Sequence, residues 1–88
     1  MTLGKLTERQ EEILEWIVGH FRETLCFPTF RELGSHFGAI STNAVFDHIT
    51  ALHRKGYLCK TGGKAWTFTG EARDLYGLYF EEKEERDG

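Results

Sequence analysis

Asn43, Asp47, Thr50 and Arg54 follow one another at steps of four, three and four residues, the spacing that lines one face of an α-helix. An amide, a carboxylate, a hydroxyl and a guanidinium in one row make hydrogen-bonding chemistry. Asn43 can bond the edge of an adenine bidentately or cap the start of a helix; Ser41 and Thr42 already supply cap hydroxyls, so the base contact is the preferred reading. Phe46 projects with this row and is either a base-edge contact or a core residue. Arg54 and Lys55 either meet phosphate or answer the negative end of the helix, and phosphate is preferred.

Competing chemistries find less support. His20, His36, His48, His53, Cys26 and Cys59 include no pair at zinc-site spacing, and His48 and His53 are five apart and face different ways, so no metal site is expected. Nor does the chain hold a nucleophile and base, or clustered carboxylates, at a usable distance; no enzyme and no cofactor is expected. Gly62 and Gly63 lack the following capped helix that a phosphate-cradling loop requires and read as a plain turn.

The elements that must position the row announce themselves at their ends. Thr7 with Gln10 and Thr29 with Glu32 form capping boxes, so helices are expected to begin there. Ile13, Leu14, Ile17, Phe21 and Leu25 give the first an apolar face ending before Pro28, and Phe30, Leu33 and Phe37 give one to the second, which Gly38 closes. A third helix is expected over residues 41–55, burying Val45, Ile49 and Leu52, with Gly56 behind it. Residues 57–60 and 65–68 are β-prone runs flanking the turn 61–64, the makings of a hairpin. Thr69 can cap a last helix with the stripe Ala72, Leu75, Tyr76, Tyr79 and Phe80. Its aromatic end is long for so small a domain, and Leu75, Tyr76, Tyr79 and Phe80 are assigned to self-association, making a homodimer.

These elements predict a mainly α fold with a small β-hairpin: a winged helix-turn-helix of three helices and a two-stranded wing, with an additional C-terminal helix. The expected division is 1–69 for the winged domain and 70–88 for the helix and acidic tail. At 88 residues, 40% of them hydrophobic, the chain suits one modest core. With no apolar run of membrane length and no export leader, a cytoplasmic protein with free thiols is expected.

Charge bears on the choice of partner. The formal net charge is -3, whereas domains that grip nucleic acid are usually basic. Residues 81–88 carry the whole of that excess, and residues 1–80 balance to zero. Within 29–70, Arg31, Arg54, Lys55, Lys60 and Lys64 outnumber Glu32 and Asp47, so the prospective binding face is mildly positive. Lys60 and Lys64 on the wing either touch phosphate or keep the hairpin soluble.

Residues 6–14 (LTERQEEIL), 27–33 (FPTFREL), 41–44 (STNA) and 48–56 (HITALHRKG) together resemble the N-terminal DNA-binding domain of the LexA repressor family, at matching spacing over about residues 5–69. The resemblance implies a winged helix-turn-helix that reads an operator through residues early in the third helix, here Ser41, Asn43, Ala44, Phe46 and Asp47. It also brings departures. The family carries an acidic residue where this chain has Phe46, and a ring cannot accept a hydrogen bond from cytosine, although it can pack on a thymine methyl; a different operator is expected. The family's second, self-cleaving serine protease domain is not in these 88 residues, whose only serines are Ser35 and Ser41. Either an excised domain or a small stand-alone relative is expected.

The leading expectation is therefore a sequence-specific regulator of transcription, a repressor, that binds double-stranded DNA with residues 41–55 in the major groove. Arg31, Thr50, Arg54, Lys55, Lys60 and Lys64 would fix its register on phosphates. The alternative is a protein-interaction module whose groove face binds another regulator or the transcription machinery. Phe46 and the low overall charge speak for it.

Overall fold

Local capping decides where each helix begins. Thr7 Oγ1 accepts from the Gln10 N–H (3.2 Å) while the Gln10 side chain accepts from the Thr7 N–H (3.0 Å), and this box opens α1 (Glu8–Thr24). Thr29 and Glu32 repeat the arrangement at 3.0 and 2.8 Å to open α2 (Phe30–His36). Ser41 Oγ accepts from the Ala44 N–H (3.2 Å) ahead of α3 (Thr42–Arg54), and Thr69 does the same for Ala72 ahead of α4 (Gly70–Tyr76). Between α3 and α4, β1 (Leu58–Thr61) and β2 (Ala65–Phe68) pair antiparallel, with Leu58 opposite Phe68 and Thr61 opposite Ala65. The computed structural model describes residues 3–62 and 65–79, which form a winged helix-turn-helix with a fourth helix.

The seven-residue α2 and α4 and the four-residue strands are too short to stand alone, and the longer α1 and α3 are likewise stabilised by burying an apolar face on the others. Ile13, Leu14, Ile17, Val18 and Phe21 of α1, Leu33 of α2, and Val45, Ile49 and Leu52 of α3 form one core. Leu58 and Phe68 close it from the wing, the Phe68 ring meeting Phe21 edge-on at 5.2 Å. Ala72 and Leu78 belong to the same core, so α4 shares it with the winged part.

The last helix is shorter than its apolar stripe suggested. Gly77 adopts the left-handed conformation (φ 66°) and stops α4 after Tyr76. The chain then turns Leu78 inward, its N–H bonding the Arg73 carbonyl at 2.9 Å, and leaves Leu75 and Tyr79 outside. Ala72, Leu75, Tyr76 and Tyr79 therefore do not form one helical face, and Phe80, Lys64 and the acidic run 81–88 lie outside the described residues. The third helix ends at Arg54 with Lys55 as its C-cap, and the first strand starts at Leu58 because Tyr57 turns its N–H back to the Leu52 carbonyl.

The turn between α2 and α3 carries backbone strain. Phe37 caps α2, and Gly38 (φ 91°) and Ala39 (φ 60°) both stand in left-handed regions. For an L residue that region costs about 1–2 kcal/mol, part of which glycine returns as added freedom of the unfolded chain. Ala39→Gly is therefore expected to stabilise the fold by about 0.5 kcal/mol, raising Tm by roughly 2–4 °C in a melt followed by circular dichroism.

Candidate nucleic-acid interface

Helix α3 hides one side and presents the other. Val45, Ile49 and Leu52 are fully inside, whereas Ser41, Thr42, Asn43, Asp47 and Arg54 are exposed and Ala44 and Thr50 are half-buried. Phe46 retains 47% of its surface, its ring 6.2 Å from that of Phe30. Ser41 provides the cap, which leaves the Asn43 amide without that task. The first turn of α3 contains no acid, in contrast to α1 with Glu8 and Glu11, so the positive end of its dipole faces outward unneutralised.

Backbone passes close to α2 where the chain turns toward α3. Gly34 of α2 is buried, its carbonyl accepts from the Ile40 N–H (3.0 Å), and a Cβ placed on it would stand 2.6 Å from the Ile40 carbonyl oxygen. Arg31 lies exposed one turn earlier on α2. A glycine inside a helical apolar pattern is the signal that could have revealed this crossing from the sequence.

The wing is tied to the end of α3. His53 Nδ1 carries the proton that it donates to the Leu58 carbonyl (2.9 Å), which fixes the tautomer, and its ring meets Trp66 edge-on at 5.5 Å. The Lys60 ammonium stands 5.0 Å from the centre of the Trp66 ring, so it is held on the hairpin surface by a cation–π contact.

Lys55 takes another part. Its ammonium donates to the Lys5 carbonyl and to Gln10 Oε1, both at 2.7 Å, and the side chain is half-buried. Two of its three protons are thus committed within the protein, leaving one for the phosphate contact that the basic pair Arg54-Lys55 suggested. The segment before α1 completes the corner: the Gly4 N–H reaches the Lys55 carbonyl and the Tyr57 hydroxyl donates to the Gly4 carbonyl, both at 2.8 Å. No local pattern marks this contact between residues about fifty apart in the chain.

At the far end, Arg22 donates to the Tyr76 carbonyl, and Arg73 donates to Thr67 Oγ1 (2.9 Å) and the Leu78 carbonyl (3.3 Å). These bonds clamp α4 to α1 and β2. Leu75 and Tyr79 remain 58% and 71% exposed, and the Tyr79 hydroxyl donates to Asp74. Burial raises the Tyr76 phenol above its ordinary value, and the hydrogen bond to Asp74 raises that of Tyr79, so both are neutral at physiological pH. Trp16 of α1 lies between His20 (ring centres 5.4 Å apart) and His36 (4.7 Å, stacked). Among the described residues no group of His, Cys, Asp or Glu could hold a metal ion, and no helix is long and apolar enough to cross a membrane.

Residues 3–67, which span α1, the helix-turn-helix and most of the wing, match the family described as the LexA DNA binding domain. The LexA repressor of Sorangium cellulosum (strain So ce56) is 46% identical over 72 residues, covering 82% of this chain and 30% of that repressor. The LexA repressor of Myxococcus xanthus (strain DK1622) is 49% identical over 79 residues, 86% of this chain and 35% of its own length. A third relative, the LexA repressor of Geotalea uraniireducens (strain Rf4), is 39% identical over 63 residues, 72% of this chain and 31% of its own. The chain thus spans about a third of the length of the curated relatives it matches.

Proposed function

The chain belongs to the LexA DNA-binding domain family, and from that premise we propose that it is a sequence-specific repressor of transcription that inserts α3 into the major groove of double-stranded DNA. The observation that carries this reading is the division of α3 into a buried aliphatic side and an exposed polar side beginning at an acid-free, Ser41-capped N-terminus. Ser41, Asn43, Ala44, Phe46 and Asp47 face the base edges, with Asn43 as the adenine reader. Arg31, Thr50, Arg54 and Lys60 rest on phosphates, joined by Lys64 from the same hairpin sequence, while Lys55 holds the N-terminal segment with two of its three protons. Binding and positioning account for the whole activity of these residues, with no catalytic step and no cofactor, and a DNA ligand implies a cytoplasmic protein.

Salt dependence tests the reading. With Arg31, Arg54, Lys60 and Lys64 each meeting one phosphate, the logarithm of the affinity for random duplex should fall against the logarithm of salt with a slope of about -3.6 per subunit, measured by fluorescence anisotropy. A flat response would remove phosphate from the interface. It would favour instead a protein partner seated on α3, a reading that the exposed Phe46 and the net charge of -3 support.

Two subunits would read half-sites about one helical turn apart. Exposed Leu75 and Tyr79, with Tyr76 and Phe80 beside them in the chain, are the proposed self-association surface, and both described phenols there are neutral. Sedimentation velocity should show a concentration-dependent dimer that Leu75→Glu abolishes; a monomer at the highest soluble concentration removes this assignment.

A further inference from the structure

The one large apolar group on the groove-facing side of α3 is Phe46. It stands three residues after Asn43 and next to Asp47, with nearly half its surface open, and it is propped from behind by Phe30, the first residue of α2. The two rings lie 6.2 Å apart at 50°, a contact that limits the rotamers open to Phe46. Phe30 is in turn fixed by the Thr29–Glu32 box and by packing on the core. A ring so held loses little freedom when it meets a ligand.

A phenyl ring neither donates nor accepts a hydrogen bond, so it cannot read the polar code of the major groove. The apolar feature displayed there is the methyl group at C5 of thymine. Cytosine carries hydrogen at that carbon unless it is methylated. Resting on the DNA reading above, we propose that Phe46, with Phe30 as its positioning residue, recognises the C5 methyl of a pyrimidine at one base pair per half-site, and so distinguishes thymine or 5-methylcytosine from uracil or unmethylated cytosine. The methyl group is the recognised feature. Asn43 and Asp47, flanking the ring, supply the hydrogen bonds that place it.

The test begins with selection of bound sequences from a random duplex pool by the full 88-residue chain. In the recovered duplex each thymine is replaced singly by deoxyuridine, which keeps every hydrogen-bonding atom of thymine and lacks only the methyl. At the contacted position cytosine and 5-methylcytosine are compared as well. Burying one methyl is worth about 0.8 kcal/mol, so its removal should weaken binding roughly fourfold at that position, for both pyrimidines alike. In Phe46→Ala this ratio should fall to one while the base preference set by Asn43 persists. Phe30→Leu should lower the ratio without altering that preference, which a merely structural role for Phe30 would not do.

A recovered site that is indifferent to every thymine-to-deoxyuridine change, or a methyl ratio unchanged in Phe46→Ala, overturns the proposal and leaves the DNA reading standing. If the chain enriches no duplex at all, both fall, and the Phe46–Phe30 pair becomes the surface on which to seek a protein partner. The deoxyuridine comparison uses the unaltered protein, so its outcome does not depend on any variant folding.

Discussion

Gly34→Ala should lower the melting temperature by about 10 °C and reduce DNA affinity further than the loss of folded protein accounts for. The added Cβ would stand 2.6 Å from the Ile40 carbonyl oxygen, and backbone cannot swing aside as a side-chain tip can. Overpacking of this kind costs about 1–3 kcal/mol, against which alanine returns about 1 kcal/mol of helix propensity. Because the obstruction is with the turn itself, the upper part of the range applies, and a net loss of about 2 kcal/mol corresponds to roughly 8–16 °C in a domain of this size. Relief comes by moving α2 away from the turn that leads into α3, which misaligns the exposed row from Asn43 to Arg54. Gly19 is the internal control: it lies on the exposed side of α1 with nothing within 4 Å of an added Cβ. Gly19→Ala should therefore raise stability by about 0.5–1 kcal/mol. If both substitutions move the melting temperature the same way, the crossing at Gly34 is not what sets the angle between α2 and α3.

Asn43→Ala carries the second large effect, on discrimination and not on stability. Ser41 already caps α3, so the Asn43 side chain can be removed without freeing a helix end. A bidentate amide–adenine pair is worth about 1–3 kcal/mol of selectivity, and the variant should lose roughly ten- to a hundredfold in the ratio of specific to random duplex affinity. Its affinity for random duplex should stay within about twofold, because the phosphate cations are untouched. Equal losses on both duplexes, with the melting temperature unchanged, would show that Asn43 does not read a base.

Residues whose structure is decided within three or four positions of themselves were legible in the chain. The boxes Thr7–Gln10 and Thr29–Glu32 and the Ser41 and Thr69 caps formed as their sequences imply, since each is a hydrogen bond between near neighbours. The pairing of β1 with β2, which joins residues four to ten positions apart, followed from the β-prone runs on either side of the turn. The period of Val45, Ile49 and Leu52 told which side of α3 is inside. The end of α4 was not legible. Tyr79 continues the helical period of the stripe, but Gly77 ends the helix and the buried seat beside Arg73 goes to Leu78.

The sequence by itself therefore determined the elements, their order, the buried side of α3 and the membership in a DNA-binding family, because these rest on local hydrogen bonding, hydrophobic period and motif spacing. Only the tertiary structure decided how α3 is held and which cations are free to act. Lys55 reaches Lys5 and Gln10, Tyr57 reaches Gly4, Arg22 reaches Tyr76, and Gly34 admits the Ile40 carbonyl. The physical reason is that the first three of these contacts join residues some fifty positions apart. In the fourth, the glycine inside an apolar helical pattern marks a close approach, but which backbone fills the space beside it is settled only when the turn closes.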